Sequence, residues 1–246
     1  MATPKTLIRP PITEALIDIR ASVSQPQETF EKFAEQLHVR FPKRRIRRGV
    51  KAEIRVEQGK LIPPSAEDLG FQGILVENEK GTQLAQFRPD GFTFNNLRPY
   101  VGGASLVTDA LELWSRFVAF TQPSTVTRVA FRYINELHLP LQLGDEFKKY
   151  LIAAPELPPG APQHVSEFLT RVVGHDLSAE ATAIVTQRLK VRETDGPVVL
   201  IDVDVFKEGE FSVDAADLRE ILSSLRLIKN ATFFSLLTDE AVALYS

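Results

Sequence analysis

The run Val126 to Pro140, VTRVAFRYINELHLP, constrains this chain more than any other stretch. It is rich in β-branched and aromatic residues and has no internal glycine or proline, so it reads as a strand. Side chains alternate between the two faces of a strand. One face then carries Val129, Phe131, Tyr133, Leu137 and Leu139, interrupted only by Asn135. The other carries Arg128, Ala130, Arg132, Ile134, Glu136 and His138. The first face needs a core beneath it. The second sets two arginines four residues apart on one side of a sheet. If the strand is central, each guanidinium needs a carboxylate, an anionic ligand or water, because an unpaired buried charge is costly.

Two other stretches offer partners. Glu14 to Val23 alternates, with Ala15, Ile17, Ile19 and Ala21 on one face and Leu16, Asp18 and Arg20 on the other. Thr182 to Arg192 and Pro197 to Phe206 read as strands joined by a turn at Asp195-Gly196. In the second of these, Val199, Ile201, Val203 and Val205 face one way, and Asp202 and Asp204 the other. Joined in one sheet, these strands collect Asp18, Arg20, Arg128, Arg132, Asp202 and Asp204 on one face as a candidate ligand-binding set. Arg132 is the natural anchor for a carboxylate or phosphate. Cross-strand salt bridging on a wet face accounts for the same residues without a ligand.

Helical spacing appears between the strands. Phe30, Phe33, Ala34, Leu37 and Phe41 follow Pro26, which suits a first helical turn, and Pro42 stops the run. Leu106, Ala110, Leu113, Trp114, Phe117 and Val118 form a second apolar stripe. Leu218, Ile221, Leu222, Leu225 and Ile228 form a third, with Ser212 as the expected N-cap. Short helices are expected over Asp145 to Ile152 and from Thr238 to Leu244. After Pro42 comes the cationic run Lys43, Arg44, Arg45, Arg47 and Arg48. It reads as a helix end whose cations complement the dipole, or as a partner-binding patch at Arg44, Arg45, Arg47 and Arg48. No aromatic residue interleaves it, so base stacking is not indicated. Ala52 to Glu57 reads as a strand and Leu61 to Gly70 as a loop. Gly73 to Asn78 and Thr82 to Arg88 form an expected hairpin, and a turn at Pro89-Asp90-Gly91 leads to a short strand. Phe168 to Val173 is a further strand candidate, after the loop PELPPGAP at Pro155 to Pro162.

The element order repeats. TEALIDIR from Thr13 matches TRVAFRYI from Thr127, and ETFEKFAEQL from Glu28 matches DEFKKYLIAA from Asp145. AQFRPDGFTF from Ala85 matches DVFKEGEFSV from Asp204, and VTDALELW from Val107 matches VDAADLRE from Val213. The expected fold is α+β. Two β-α-β-β-β-α-like halves, about residues 12–123 and 124–246, form one curved, mainly antiparallel sheet with helices packed on one face. The 246 residues are expected to form a single structural unit.

Composition narrows the chemistry. Hydrophobic residues make up 43% and charged residues 25%, enough to bury a sizeable core. The net charge of −3 gives no global attraction to nucleic acid or an anionic membrane. The chain has no cysteine, which excludes disulfides, thiolate nucleophiles and iron–sulfur clusters. The four histidines, at 38, 138, 164 and 175, have no metal-ligand spacing. No Walker sequence and no GxGxxG after a strand is present, so no cofactor is expected. No signal-peptide core or membrane-spanning run is visible, and a cytoplasmic location is expected.

RPPITEAL near the start, FRPDGFTFNNLRPY, FRYIN of the opening strand and LTDEA near the end occur here in that order. In this the chain resembles a sporadically distributed bacterial family of about this length and of unknown function. The resemblance spans nearly the whole chain and implies one full-length unit; it brings no catalytic residues. Such a distribution suggests an accessory component of a mobile or defence locus.

The sequence therefore favours a non-enzymatic binding or regulatory protein. Its charged sheet face or basic patch would contact a protein partner, a second copy of the chain or an anionic ligand; nucleic acid is the less supported partner, and no membrane is expected. A metal-dependent hydrolase or nuclease using Asp202 and Asp204 is one alternative. A small-molecule carrier with a cavity between sheet and helices is another.

Overall fold

The computed structural model describes residues 2–53, 56–57, 60–61, 65–100, 102–141, 146–192 and 196–246. The chain runs β1 (Ile12–Ala21), α1 (Gln27–Glu35), β2 (Lys43–Glu53), β3 (Val56–Glu57), β4 (Lys60–Leu61), β5 (Ser65–Glu77), β6 (Gln83–Arg88), β7 (Gly91–Leu97) and α2 (Gly103–Thr121). It continues through β8 (Val126–His138), a 3₁₀ turn at Phe147–Lys149, β9 (Leu169–Asp176), β10 (Ala181–Arg192), β11 (Gly196–Phe211), α3 (Ala215–Ser235) and α4 (Asp239–Ala243). Nine strands make one open antiparallel sheet in the order β2-β5-β6-β7-β1-β8-β11-β10-β9, while β3 and β4 pair only with each other. The fold is α+β, with the helices packed against this sheet.

β8 is interior, hydrogen-bonded to β1 on one side and β11 on the other. Ile17 pairs with Phe94 and Phe131, and Phe131 with Val205, so these buried side chains share a face. The helices bury that face. α1 packs on β5, α2 on β1 and β7, and α3 on β8 and β11. Phe117 of α2 is the hub, its ring 5.2 to 6.5 Å from those of Phe30, Phe33, Phe87, Phe92 and Trp114. Trp114 also donates its indole N–H to the Val213 carbonyl at 2.9 Å, tying α2 to the chain entering α3. Burying the polar end of a Trp without such a partner would cost stability.

Several expectations are corrected. α1 ends at Glu35, and 36–40 are turns in which Leu37 and Arg40 close i→i+3 hydrogen bonds. The Phe41 N–H still donates to the Leu37 carbonyl at 2.8 Å before Pro42 ends the run, and Leu37 and Phe41 remain buried. The cationic run is not a helix end. It opens β2, an edge strand paired with β5, so the dipole argument does not apply to it. Residues 65–70 of the expected loop are strand; 62–64 lie outside the described residues, as do 54–55 of the expected Ala52–Glu57 strand. The expected Asp145–Ile152 helix is only the 3₁₀ turn, with Asp145 itself outside the described residues, as is Asp195 of the expected turn. The N-cap of α3 is Asp214, which accepts from the Ala216 N–H at 2.7 Å; Ser212 instead accepts from the Asp214 N–H.

The two halves are not uniform copies. Residues 28–37 contain most of α1, whereas their proposed counterparts contain the 3₁₀ turn. Residues 85–94 span β6, a turn and part of β7, while 204–213 run along the end of β11 and beyond. Among the described residues, no helix is long and apolar enough to cross a membrane.

Candidate functional site

The sheet face away from the helices brings the six expected ligand-binding residues together, and they meet one another. Arg128 donates to Asp18 at 3.1 Å and to Asp204 at 3.0 Å, lying over the Phe206 ring on the way. Arg132 grips Asp202 with two donors, Nε at 2.8 Å and Nη2 at 2.5 Å. Arg20 reaches Asp18 and Asp90. Three members of this lattice, Arg88, Asp90 and Thr93, escaped the sequence reading. Arg88 donates to Asp18 at 2.9 Å and Asp90 at 2.8 Å, and the Thr93 hydroxyl donates to Asp18 at 2.7 Å. The FRPDGF turn contains both Arg88 and Asp90, and alternation read separately on either side of it, Phe87 against Arg88 and Phe92 against Thr93, would have placed Arg88 and Thr93 on the polar face.

Asp18 is only 8% exposed. Desolvation pushes its carboxyl up, but the Thr93 and Arg88 hydrogen bonds and the charges of Arg88 and Arg20 outweigh it and hold the pKa below the usual carboxylate range. Asp204 goes the other way. Burial dominates over Arg128 and Arg132, its pKa is raised, and its Oδ1 has no hydrogen-bond partner among the described residues. Asp202 and Asp204 each turn to an arginine. Among the described residues, no group of three or more His, Cys, Asp or Glu stands ready for a metal ion.

The basic run is likewise matched. Arg44 pairs with Glu35, Arg45 with Glu77 and Arg48 with Asp68, while Arg47 donates to Gln86. Each arginine of that run already has a partner on its own chain.

A different cluster is not matched. Between the N-terminus of α2, the helix α3 and β8 lies a pocket of about 240 Å³. Its wall includes Gly103, Tyr100, Tyr133, Asn135, Arg226 and Lys229. Lys229 is 4% exposed, with Nζ 3.4 Å from the centre of the Tyr133 ring. Among the described residues, no oxygen accepts a hydrogen bond from its Nζ and no carboxylate pairs with it. Desolvation, aided by the Arg226 charge, lowers its pKa to about 7. Arg226 lies three residues earlier on the same helix, so the two cations are neighbours; Arg226 has no ion pair among the described residues either.

The rest of the wall is polar and tight. The Tyr100 and Tyr133 hydroxyls hydrogen-bond to each other, and burial raises both pKa values. α2 begins at Gly103, with Gly102 as its N-cap, no side-chain cap and no acidic residue in its first turn. Its leading N–H groups therefore lack a side-chain acceptor, at the positive end of the helix dipole. A Cβ on Gly103 would stand 2.9 Å from Arg226 Nε and 3.1 Å from the Tyr100 hydroxyl, so glycine is what lets them crowd the helix start. Lys229 extends the buried series Leu218, Leu222, Leu225, Lys229, Phe233 along α3. A lysine at that step of an apolar stripe was the available signal; the sequence reading followed Ile228 instead.

No protein-family model matches the chain, and no curated protein matches it.

Proposed function

We propose that this is a binding protein for a small anionic metabolite, held in the pocket between α2, α3 and β8. The observation that carries this reading is the pair Arg226 and Lys229. They are adjacent cations, one of them buried, with no carboxylate partner among the described residues, beside an uncapped helix N-terminus. A buried unpaired cation is expensive, and a helix N-terminus favours an anion. A carboxylate or phosphate would offset both. At about 240 Å³ the pocket is smaller than the roughly 300–1,000 Å³ typical of drug-sized sites. That size selects a metabolite over a peptide or a nucleic acid.

This reading joins the binding function to the cavity between sheet and helices and takes it away from the charged sheet face. There the arginines already have carboxylates, and the lattice acts as a structural clamp across β7, β1, β8 and β11. Calorimetric titration with inorganic phosphate and with succinate tests the proposal. Binding should be measurable for at least one of them and weaken about tenfold or more in Arg226→Ala, the scale of one lost charge-assisted contact. No heat with either anion, or unchanged affinity in the variant, would refute it.

The two halves also fit descent from one duplicated unit. In each, the last sheet strand pairs with the first: β7 with β1, and β11 with β8. The matched segments from Thr13 and Thr127 make Ile17 the counterpart of Phe131, and those two residues are cross-strand partners, as a pseudo-two-fold relation requires. α1 and the β6–β7 hairpin would then be departures of the first half.

A further inference from the structure

We propose that Lys229 forms a reversible imine with the carbonyl carbon of a short oxo acid whose carboxylate is held by Arg226 and the first turn of α2. The inference rests on the anion-binding reading above and gives the ligand a second functional group. Its basis is the placement of one amine. Lys229 points from the buried stripe of α3 into the pocket, with its Nζ against the Tyr133 ring and no oxygen accepting from it among the described residues. A lysine needed only for charge gains nothing from this depth, because Arg226 already supplies a permanent cation to the same pocket.

The site disfavours the ammonium form. Desolvation and the Arg226 charge bring the pKa to about 7, so a large fraction of Lys229 is free amine at neutral pH. The aromatic ring offsets part of this by attracting the cation. A free amine in a pocket that also grips a carboxylate is arranged for addition to a carbonyl on the same small molecule. In the addition, the nitrogen lone pair forms the N–C bond and the carbonyl π electrons move to oxygen. Loss of that oxygen with both amine hydrogens then gives the C=N bond and one water. No oxidant, reductant or metal enters the balance. The Tyr100–Tyr133 hydroxyl pair stays neutral in the wall and holds its shape.

Borohydride reduction of the intact protein with glyoxylate tests this, with peptide mass mapping of every lysine. Lys229 should be trapped on the order of a hundredfold faster than Lys148, whose pKa is raised by Glu156. Trapping should saturate with glyoxylate, and inorganic phosphate should compete with it. Arg226→Ala slows trapping of any aldehyde by letting the Lys229 pKa rise, so the readout is a ratio: trapping of glyoxylate relative to neutral propionaldehyde at Lys229 should fall about tenfold or more. Trapping of Lys229 at the rate of Lys148 would overturn the imine. If phosphate still binds in calorimetry, the imine alone falls; if it does not, the anion site falls too.

Discussion

Arg132 and Asp202 sit on adjacent strands and form a two-point bond, with the arginine Nε 2.8 Å and Nη2 2.5 Å from the two carboxylate oxygens. The contact is diagonal, since the residue opposite Arg132 in the register is Asp204. It therefore locks β8 to β11 along the strand direction as well as across it. The Asp202 hydrogen bond is the main force raising the Arg132 pKa, against desolvation. The residue that looks most like a ligand anchor is thus occupied by its own chain.

A double-mutant cycle with Arg132→Ala and Asp202→Ala should give a coupling of about 1 kcal/mol in urea unfolding, because the guanidinium is partly open to solvent. Arg132→Ala should leave phosphate affinity unchanged, since the proposed pocket lies on the other face of the sheet. A variant that keeps its stability but loses anion binding would return the site to the charged face.

Asp18 holds the clamp together, because Arg88, Arg128, Arg20 and Thr93 all donate to it. Asp18→Asn should destabilise the fold by about 3 kcal/mol, as it leaves half-buried cations short of a counter-charge. The folded pKa lies below the model-peptide value of 3.8. The stabilisation is therefore complete above about pH 4 and is lost as pH falls through the lower folded value. Asp204, raised by burial, acts in the opposite sense, so the Asp18 contribution is read as the difference between variant and wild type. That difference should shrink as urea midpoints are followed from pH 5 towards pH 2; a constant offset would contradict it.

Lys229→Met should stabilise the protein. The lysine pKa falls from 10.5 to about 7 on folding, so the unfolded chain binds the proton more tightly. The penalty is full below pH 7, eases as pH rises and is gone above about 10.5, with an upper limit of about 5 kcal/mol. Arg226, Lys5, Tyr100 and Tyr133 are the other ionisable groups lining the pocket. The two phenols, with raised pKa values, reverse the slope above about pH 10. Thermal melts from pH 7 to pH 9.5 should show the Met variant's advantage narrowing. An advantage that is absent or independent of pH would mean that Lys229 is charged and well solvated.

Gly91→Ala should cost several kcal/mol or abolish folding. Gly91 opens β7 with φ at 142°, and a Cβ there would lie 2.2 Å from the Ile19 carbonyl oxygen on β1. Backbone cannot yield as a side-chain tip can, so the β1–β7 register is what breaks. Gly103→Ala meets only side-chain atoms of Arg226 and Tyr100, and should spare the fold while weakening anion binding. Circular dichroism melts of both variants distinguish the two cases.

Alternation and helical spacing along the chain determined the interior strand β8, its apolar and charged faces, the strands β1, β10 and β11, and the helices α2 and α3. Those signals are local, since a side chain's face follows from its place in a period of two or 3.6 residues. The grouping of Asp18, Arg128, Arg132, Asp202 and Asp204 was legible too, once the three strands were put in one sheet. Tertiary structure alone decided that those charges satisfy one another, because pairing depends on register and reach between residues 70 to 110 positions apart. It also decided that the cationic run is a strand: its pairing with β5 fixes that, and no internal period revealed it. The pocket was hidden for a similar reason. Tyr100, Gly103, Tyr133, Arg226 and Lys229 come from three separate stretches, and each alone reads as ordinary core or surface. Only packing α3 across β8 and the start of α2, with the N-terminal segment alongside, puts Arg226, Lys229 and Lys5, two phenols and a bare helix end around one small space.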